Sequence, residues 1–592
     1  MKLLKTAEKE KRIKIVETYV SELEQYIVFA YLFCMLGIFP LYYKEQYYGI
    51  GNAKFEFFWK ISLGFIGVSL IFFVVKFVLE KILNNTFSNK SIRNSYKIEE
   101  HKKENVLLRY LDNLSTLDYV VFIYAICVLL SYGFSDFKDF AFKGAPGWEM
   151  GLCSQMIFVA LYFILSRQEE LFVKIQSLRG ESRYQDLAQL VLIVNLIASS
   201  IAFLLGILHR FEIDPLGMYE GLELKQKVEF LSTIGQATWL SGYVCTVFAI
   251  GVIVFYISEK NWLRTATGIY SIFSFGILVT QNSDSAFFSV AGMMLLLGYF
   301  SLTDVKRSYR FWQVMSLMWG SFIGIGLLQR IFADRAIPLD RLSIFLSQSM
   351  ITVGIFIFSM VAMFFYGKCY KKEIVEKNKK KINIEETKIH TDKIMLRTKQ
   401  IYQGIVIFLL AAVVMTVLFI YLNTQGYLLQ WFGYQSTNSY LLFDSRWGNG
   451  RGSTWMICWQ SFWDMPFYQK LFGIGPDSLS AYLYSMPDME ELLRSLWGSQ
   501  RLTNAHNEYL NCLICYGVIG LCAWLAVLIG GICYFYNKAK ENPFMIAFAL
   551  CIIGYACHNT FCYQQVCATP ILFLVLGIGE SLTKSENFNT IK

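Results

Sequence analysis

Long apolar runs recur along the whole chain and are separated by short polar segments, a pattern typical of a protein that crosses a membrane many times. The runs are long enough for helices of membrane length, and they predict an all-α polytopic membrane protein with about fourteen transmembrane helices. The predicted spans are 26–43, 61–79, 118–134, 151–166, 187–208, 237–257, 265–281, 285–302, 313–331, 343–366, 401–423, 508–536, 544–560 and 563–580.

The basic residues alternate between the two sides of these spans. With the N-terminus inside, the inner segments hold 37 of the 54 Lys and Arg residues. The outer segments hold 16 when Arg330, at the outer end of the span 313–331, is counted with them, and Lys76 lies within a span. Because inner loops of membrane proteins are enriched in Lys and Arg, this distribution predicts a multi-pass protein with cytoplasmic N- and C-termini.

The polar segments divide the chain into five parts. We expect a basic cytoplasmic arm at 1–25, a transmembrane bundle at 26–366 and a charged cytoplasmic segment at 367–400 that is a linker or a charged helix. A second transmembrane region follows at 401–580, with one large outer loop, 424–507, that contains short helices. A cytoplasmic tail occupies 581–592.

Composition narrows the function classes. Hydrophobic residues make up 55% of the chain and charged residues 17%, and membrane orientation accounts for the net charge of +9, which gives no support to nucleic-acid binding. The fourteen cysteines lie mostly within apolar runs, so we expect buried thiols without a disulfide framework or a zinc site. The basic N-terminus lacks the apolar core of a signal peptide. We expect no metal and no cofactor.

The outer loop contains a glycine-rich segment with two arginines, Arg446 and Arg451. Guanidinium groups donate paired hydrogen bonds to anionic oxygens, and glycines allow backbone N–H groups to approach them. A surface loop with solvated arginines is the alternative. Ser453 is expected to cap a helix that starts at Thr454 and carries a stripe of Trp455, Trp459 and Trp463. This stripe is either a belt at the membrane surface or a stacking surface for sugar rings or a lipid.

The loop ends in Asn504-Ala-His-Asn507, where Asn504 is expected to cap the following helix. His506 would then lie in the first turn, on the same face as Gly517 and Gly520. A helix N-terminus disfavours the imidazolium form, and a neutral imidazole can accept a proton from a hydroxyl group. Alternatively, the histidine only caps the helix or bonds a backbone carbonyl.

Three smaller polar groups lie outside this loop. Arg330 and Arg335 lie near two acidic residues at the outer end of a span, and they form either internal ion pairs or a phosphate clamp. Ser283-Asp284 lies in the tight turn between two spans, where an ionisable group marks a site or caps a helix. His558-Asn559 repeats the His-Asn pair at the outer end of a later span, where polar capping is the simplest interpretation.

Together, these motifs resemble the O-antigen ligase/polymerase family of bacterial polysaccharide membrane proteins. The resemblance rests on Arg451 followed four residues later by Trp455, on Pro466 before Gly473-Ile-Gly475, and on His506-Asn507 with the later Gly517 and Gly520. These motifs stand in the same order within one large outer loop before the last spans. They cover roughly residues 440–530.

The resemblance implies metal-independent transfer of a glycan from an undecaprenyl diphosphate donor to a hydroxyl of a glycan or glycolipid acceptor. Arg451 and Arg446 would bind the diphosphate, and His506 with Asn507 would serve the acceptor or the leaving group. Many relatives carry a Ser-Arg pair where this chain has Ser283-Asp284. Either Arg330 or Arg335 supplies the second diphosphate contact, or the donor is held differently.

Two other function classes remain open at this point. A flippase or exporter of lipid-linked glycans would be expected to carry repeats and charges at the membrane midplane, whereas the polar clusters here gather at the outer surface. A non-catalytic scaffold of an envelope-assembly complex would not need His506 or Arg451. The glycosyltransferase hypothesis therefore predicts that both residues are essential for glycan assembly.

Overall fold

The computed structural model describes residues 2–87, 114–168, 183–378, 384–438 and 440–584, which are mostly helical. The helices of the first half are α1 Lys2–Phe33, α2 Ile50–Phe87, α3 Thr116–Phe134, α4 Lys138–Lys143, α5 Leu152–Ser166, α6 Arg183–His209, α7 Leu224–Glu229, α8 Ala237–Ile257, α9 Asn261–Thr280, α10 Asp284–Ser301 and α11 Val305–Ile331. A two-stranded antiparallel hairpin pairs β1 Phe230–Leu231 with β2 Gly235–Gln236.

The second half of the described chain contains both long and short helices. They are α12 Arg341–Gln348, α13 Met350–Asn378, α14 Ile384–Thr424, α15 Tyr427–Phe432, α16 Trp447–Asp464, α17 Phe467–Phe472, α18 Leu479–Leu483, α19 Pro487–Trp497, α20 Glu508–Lys538, α21 Ile546–His558 and α22 Thr569–Lys584. A π-helical turn, Cys34–Ile38, continues α1, and a 3₁₀ turn, Pro543–Met545, precedes α21.

Eleven of the described helices are long and apolar enough to cross a membrane. The chain is thus an all-α, membrane-spanning protein, as predicted. The three other predicted spans coincide with the shorter helices α5, α21 and α22, which have 15, 13 and 16 residues. The predicted number of fourteen transmembrane helices is therefore not reached when only helices long enough to cross a membrane are counted.

The predicted span 343–366 has the wrong start. Asp340 caps the short helix α12 by accepting a hydrogen bond from the Ser343 N–H. Ser349 is extended and its hydroxyl accepts from the Thr352 N–H, so a separate helix begins at Met350. Two local capping interactions thus break an apolar run that hydropathy cannot divide.

The core of the bundle is built around α8, whose sequence is apolar on all sides and which is buried along most of its length. It packs against α9 and α21, while α22 packs against α5 and α20 packs against α3. Gly554 of α21 lies against the Cys245 carbonyl of α8, so the two backbones approach closely there. Small residues permit such close packing between membrane helices.

Loops predicted to share one side of the membrane contact one another. At the predicted outer side, Asn282 donates to the Pro338 carbonyl, and the Asp477 carboxylate accepts from the backbone N–H of Ala145. At the predicted inner side, Arg167 forms an ion pair with Asp118. The two sets of loops therefore lie at opposite ends of the bundle, and which end is cytoplasmic stays a prediction.

His209 shows how tightly the outer end is assembled. This histidine ends α6 and is fully buried. The Tyr47 hydroxyl lies 3.1 Å from its Nδ1, and the Ser232 N–H donates to the same nitrogen at 3.0 Å. Folding brings these partners from distant segments, so no local pattern could show them.

The helix α20 is broken at Gly517, where φ is 69° and ψ is −176°. The break leaves carbonyl groups without their helical partners, and the outer loop satisfies them. Ile474 N–H donates to the Ile514 carbonyl at 3.1 Å, and Gly475 N–H donates to the Cys515 carbonyl at 3.0 Å. The uninterrupted helix face predicted for His506, Gly517 and Gly520 is therefore wrong.

We expect Gly517→Ala to destabilise the protein. A Cβ at this position would collide with the backbone of Leu471 and Phe472, and the left-handed φ strains any other residue. The cost should be on the order of 2 kcal/mol. Thermal unfolding of the detergent-purified protein should show a lower midpoint. The matched control is Gly530→Ala in the same helix, whose Cβ meets only Val120 at an ordinary 3.8 Å, and whose midpoint should not fall. Equal midpoints for both variants would contradict this account.

Candidate functional site

Arg451 lies near the start of α16. This helix begins at Trp447 rather than at the predicted Thr454. Its first turn is irregular, because Gly448 and Gly450 adopt positive φ values of 58° and 88°, which lie outside the right-handed helical region. The guanidinium Nη1 donates to the Gly448 carbonyl at 3.1 Å. The Nε atom is buried and has no hydrogen-bond partner among the described residues. Arg451 is thus held by its own glycine-rich turn, and its Nε–H group remains able to donate a hydrogen bond.

His506 lies in the turn just before α20 and not within the helix. Asn507 is the N-cap, since its side chain accepts from the Leu510 N–H at 2.9 Å. Asn504 instead accepts from the His506 N–H at 3.0 Å, which closes a turn and holds His506 at a positive φ of 47°. The histidine is therefore fixed in a strained conformation of the kind that functional sites retain.

The environment of His506 keeps its ring neutral. Burial is the main cause and the positive charge of Arg451 is the second, and together they lower the pKa of His506 to about 4. The ring packs edge-on against Tyr563, with 5.2 Å between centroids. A neutral imidazole beside an arginine can accept a proton once a negative charge arrives between them.

The Arg451 charge also acts on residues of two other segments. It interacts electrostatically with Asp284 at the start of α10 and with Cys562 and Tyr563 after α21. Asp284 is solvent-exposed, whereas Cys562 and Tyr563 are buried. Thus α10, α16 and the turns flanking α20 and α21 converge on one arginine.

A buried polar chain lies beneath this convergence. His558 Nδ1 is 2.7 Å from the Asn559 side-chain oxygen, and its Nε2 is 2.8 Å from the Ser241 hydroxyl and 3.5 Å from the Cys562 sulfur. Burial would raise the pKa of the Cys562 thiol, but the neighbouring His558 and Arg451 bring it below its ordinary value. This chain ties the segment after α21 to α8.

Glu508 extends the buried chain to α20. The Asn559 amide donates to its carboxylate, and the Tyr555 hydroxyl donates to the other oxygen at 3.2 Å. The Glu508 backbone N–H donates to the Asn559 carbonyl at 3.0 Å. Glu508 therefore joins the two His-Asn pairs instead of facing water.

Comparison with known proteins agrees with this geometry. A family model described as O-Antigen ligase matches residues 339–525, which include Arg451 and His506. This part of the chain is therefore similar to the O-antigen ligase family. The predicted resemblance is confirmed, and it extends further towards the N-terminus than the motifs at 440–530. No curated protein matches the chain.

The O-antigen ligase domain contains Arg446 and Asn507 as well. Arg446 is exposed at the N-cap position of α16, five residues before Arg451. Asn507 is occupied with capping α20. The side chains of Arg446 and Arg451 start from the same end of α16.

Arg330 and Arg335 lie elsewhere on the outer surface. Arg330 donates from Nε and Nη2 to Gln348, at the C-terminal end of α12, and both contacts are 3.1 Å long. Arg335 is exposed in the turn after α11. The helix α12 starts at Arg341, and this end faces Asn282 and Asp284. Gln348, which binds Arg330, lies seven residues away, or roughly 10 Å along the helix. The contacts of the described residues thus leave both arginines without a link to Arg451.

Two further motifs of the O-antigen ligase domain have structural roles. The Gly473-Ile-Gly475 turn fills the break in α20, and Asp477 accepts hydrogen bonds from Ala145 and Met150 rather than capping a helix. The three tryptophans of the predicted stripe differ in their surroundings. Trp455 packs on Trp447 at 5.2 Å, whereas Trp459 and Trp463 are 52% and 54% exposed and suit the membrane-surface interpretation.

Sequence reasoning did not connect the buried His558, Cys562 and Ser241. The pattern His558-Asn559 was visible, but its partners come from α8 and α20. The one available signal was the repetition of the His-Asn pair at the outer ends of two successive spans. That repetition correctly marks two segments that lie in contact through Glu508.

The low pKa of His506 can be tested directly. The chain has only five histidines, so selective isotope labelling permits an NMR titration of each ring. We expect the His506 ring to remain neutral from pH 8 to pH 5. In Arg451→Gln the midpoint should rise, since removing a nearby positive charge favours the imidazolium form. Arg446→Gln, an exposed neighbour, is the control. A midpoint near 6.5 in the unmodified protein would contradict the site geometry.

Proposed function

We propose that this protein is a glycosyltransferase that moves a glycan from an undecaprenyl diphosphate-linked donor to a hydroxyl of a glycan or glycolipid acceptor. Similarity to the O-antigen ligase family supports membrane glycan transfer of the ligase or polymerase type. The observation that carries the finer proposal is the electrostatic pairing of Arg451 with a neutral His506. Arg451 suits an anionic leaving group, and the neutral His506 suits an acceptor hydroxyl.

In this mechanism, Arg451 binds the diphosphate of the donor and Arg446 adds a second guanidinium group. The bond between the anomeric carbon and the diphosphate oxygen breaks, and the oxygen keeps the electron pair. Fixed positive charge stabilises this leaving group, so the reaction needs no metal ion to neutralise it. The unpartnered Nε of Arg451 supplies a donor that no described protein group occupies.

His506 accepts the proton of the attacking hydroxyl as the new glycosidic bond forms. The low pKa of His506 makes the ring a weak base, mainly because burial disfavours the imidazolium and additionally because Arg451 repels it. A bound diphosphate would offset the Arg451 charge and raise the basicity of the ring.

A lipid-linked donor suits the surroundings of the site. An apolar cavity of about 800 Å³ lies between α10, α11, α13 and α14, and follows α10 from Phe287 to Leu302. The same helix starts at Asp284, which interacts with Arg451. A chain anchored in this cavity would emerge at the arginine. The helix α14 forms one wall and is exposed along its apolar stretch.

Asp284 occupies the position of the family's arginine in the Ser-Arg pair. It repels a diphosphate, so we propose that donor binding relies on Arg451 and Arg446. Arg330 and Arg335 stay candidates for contacts with a distant part of the glycan. We further propose that the protein resides in a bacterial inner membrane with both termini in the cytoplasm, so that the reaction takes place at the outer leaflet.

Purified protein in liposomes should transfer the glycan of an undecaprenyl diphosphate-linked oligosaccharide to an acceptor glycan. His506→Ala should slow transfer by roughly 10²- to 10⁴-fold through loss of the base. Arg451→Ala should slow it by roughly 10²- to 10³-fold through loss of charge stabilisation. Arg494→Ala is the control, because Arg494 is exposed and pairs with Glu490 on α19. Its rate should be unchanged.

Complementation of a deletion strain distinguishes the classes. Loss of chains longer than one repeat in His506→Ala would indicate a polymerase, whereas intact lipid-linked chains that remain unattached would indicate a ligase. Normal surface glycans from His506→Ala and Arg451→Ala, at normal expression, would refute the enzymatic proposal. That result would leave a flippase or a scaffold as the function.

A further inference from the structure

A polar cleft of about 510 Å³ opens beside the candidate site. It is lined by Arg341 at the start of α12 and by the segment between α15 and α16, namely Tyr434, Gln435, Ser436, Thr437, Asn438 and Tyr440. Its volume falls within the ~300–1,000 Å³ of small-molecule binding sites. None of its lining residues belongs to the Arg451–His506 centre.

The cleft is formed before any ligand binds. Asn423, buried at the end of α14, donates to the carbonyls of Ser436 and Leu441 at 3.1 and 2.9 Å. Its side-chain oxygen accepts from the Ser436 N–H at 2.9 Å. The three hydrogen bonds of this one side-chain amide thus fix the lining loop at Ser436 and at Leu441. A preformed loop loses little conformational entropy when it binds a ligand.

The lining side chains have the chemistry of saccharide recognition. Tyr434 and Tyr440 are 52% and 59% exposed, so their rings can stack on the apolar faces of sugar rings. Gln435, Thr437 and Asn438 are exposed and can exchange hydrogen bonds with hydroxyl groups. The Arg341 side chain is exposed and forms no ion pair or hydrogen bond with another described residue. An exposed guanidinium group in such a cleft favours an anionic substituent.

Two connections place the cleft next to the proposed reaction centre. The Trp447 indole N–H donates to the Tyr440 carbonyl at 3.2 Å, and Trp447 begins the helix that carries Arg451. On the other side, Arg341 directly follows Asp340, which interacts electrostatically with Asp284. A glycan bound at the proposed reaction centre could therefore extend into this cleft.

We propose that the cleft is a glycan subsite that binds an acidic saccharide unit of the substrate, with Tyr440 as its stacking surface and Arg341 as the partner of the acidic group. The inference rests on the proposed glycan-transfer function. It adds a specificity determinant outside the transfer chemistry. The saccharide can belong to the donor or to the acceptor, and kinetics can distinguish these two sources.

The test uses the full-length protein in nanodiscs and oligosaccharides released by mild acid from the host strain's own surface polysaccharide. Saturation-transfer NMR should detect binding to the unmodified protein. Tyr440→Ala and Arg341→Gln should each weaken binding by about tenfold, a typical effect of losing one stacking or charged contact. Tyr440→Phe should retain binding, which excludes misfolding of the loop. Methyl esterification of the oligosaccharides should weaken binding to the unmodified protein but add nothing in Arg341→Gln.

Steady-state kinetics completes the test. Tyr440→Ala should raise KM for one substrate, donor or acceptor, with little change in kcat, and that substrate supplies the saccharide. Unchanged binding in Tyr440→Ala and Arg341→Gln, no detectable binding to the unmodified protein, or complete displacement by a short-chain phosphatidylglycerol would overturn the subsite. In the last case the cleft binds a lipid headgroup. His506→Ala should bind oligosaccharide normally, so failure of the subsite and failure of the catalytic proposal are distinguishable.

Discussion

The break in α20 at Gly517 is the constraint on which the outer surface depends. A membrane helix that stops being helical must find new donors for its carbonyl groups, because the surrounding apolar medium supplies none. Here the donors are the backbone N–H groups of Ile474 and Gly475. The outer loop is therefore hydrogen-bonded into the bundle. This anchor lies between Arg451 and His506 in the sequence, and it fixes both ends of the candidate site.

Electrostatics determines what the anchored loop can do. Burial is the main reason why the His506 imidazole stays neutral, and the neighbouring Arg451 cation strengthens the effect. The same arginine influences Asp284 and Cys562, so under the proposed function a bound diphosphate would change the charge balance of several segments together. The proposed mechanism thus couples donor binding and proton transfer through one side chain.

Local sequence patterns were sufficient to predict the helical membrane fold. They also singled out Arg451 and His506, whose roles in a site stay a prediction. Hydropathy and charge alternation depend on composition over many residues, so they tolerate local irregularity. Helix boundaries were less predictable. Asn504 and Asn507 are equally good caps by residue type, and only the hydrogen bonds choose Asn507. The start of α16 was predicted too late in the chain, because its irregular first turn contains glycines and has the composition of a loop.

The rest of the site could not be predicted, because its contacts join residues far apart in the chain. Ser241 meets His558 across 317 positions, and Asn559 meets Glu508 across 51. The glycan cleft likewise combines Arg341 with a loop about a hundred residues later. Polar side chains in such places look like ordinary loop residues until the bundle brings them together.

The central claim is that Arg451 and His506 act on the same transfer step. A double-mutant cycle tests it most directly, by comparing glycan-transfer rates of Arg451→Ala, His506→Ala and the double variant with the unmodified protein. If the arginine-bound diphosphate activates the histidine, the double variant should be no more than about threefold slower than the slower single variant. Rate losses that multiply would show that the two residues act independently, which would contradict the account.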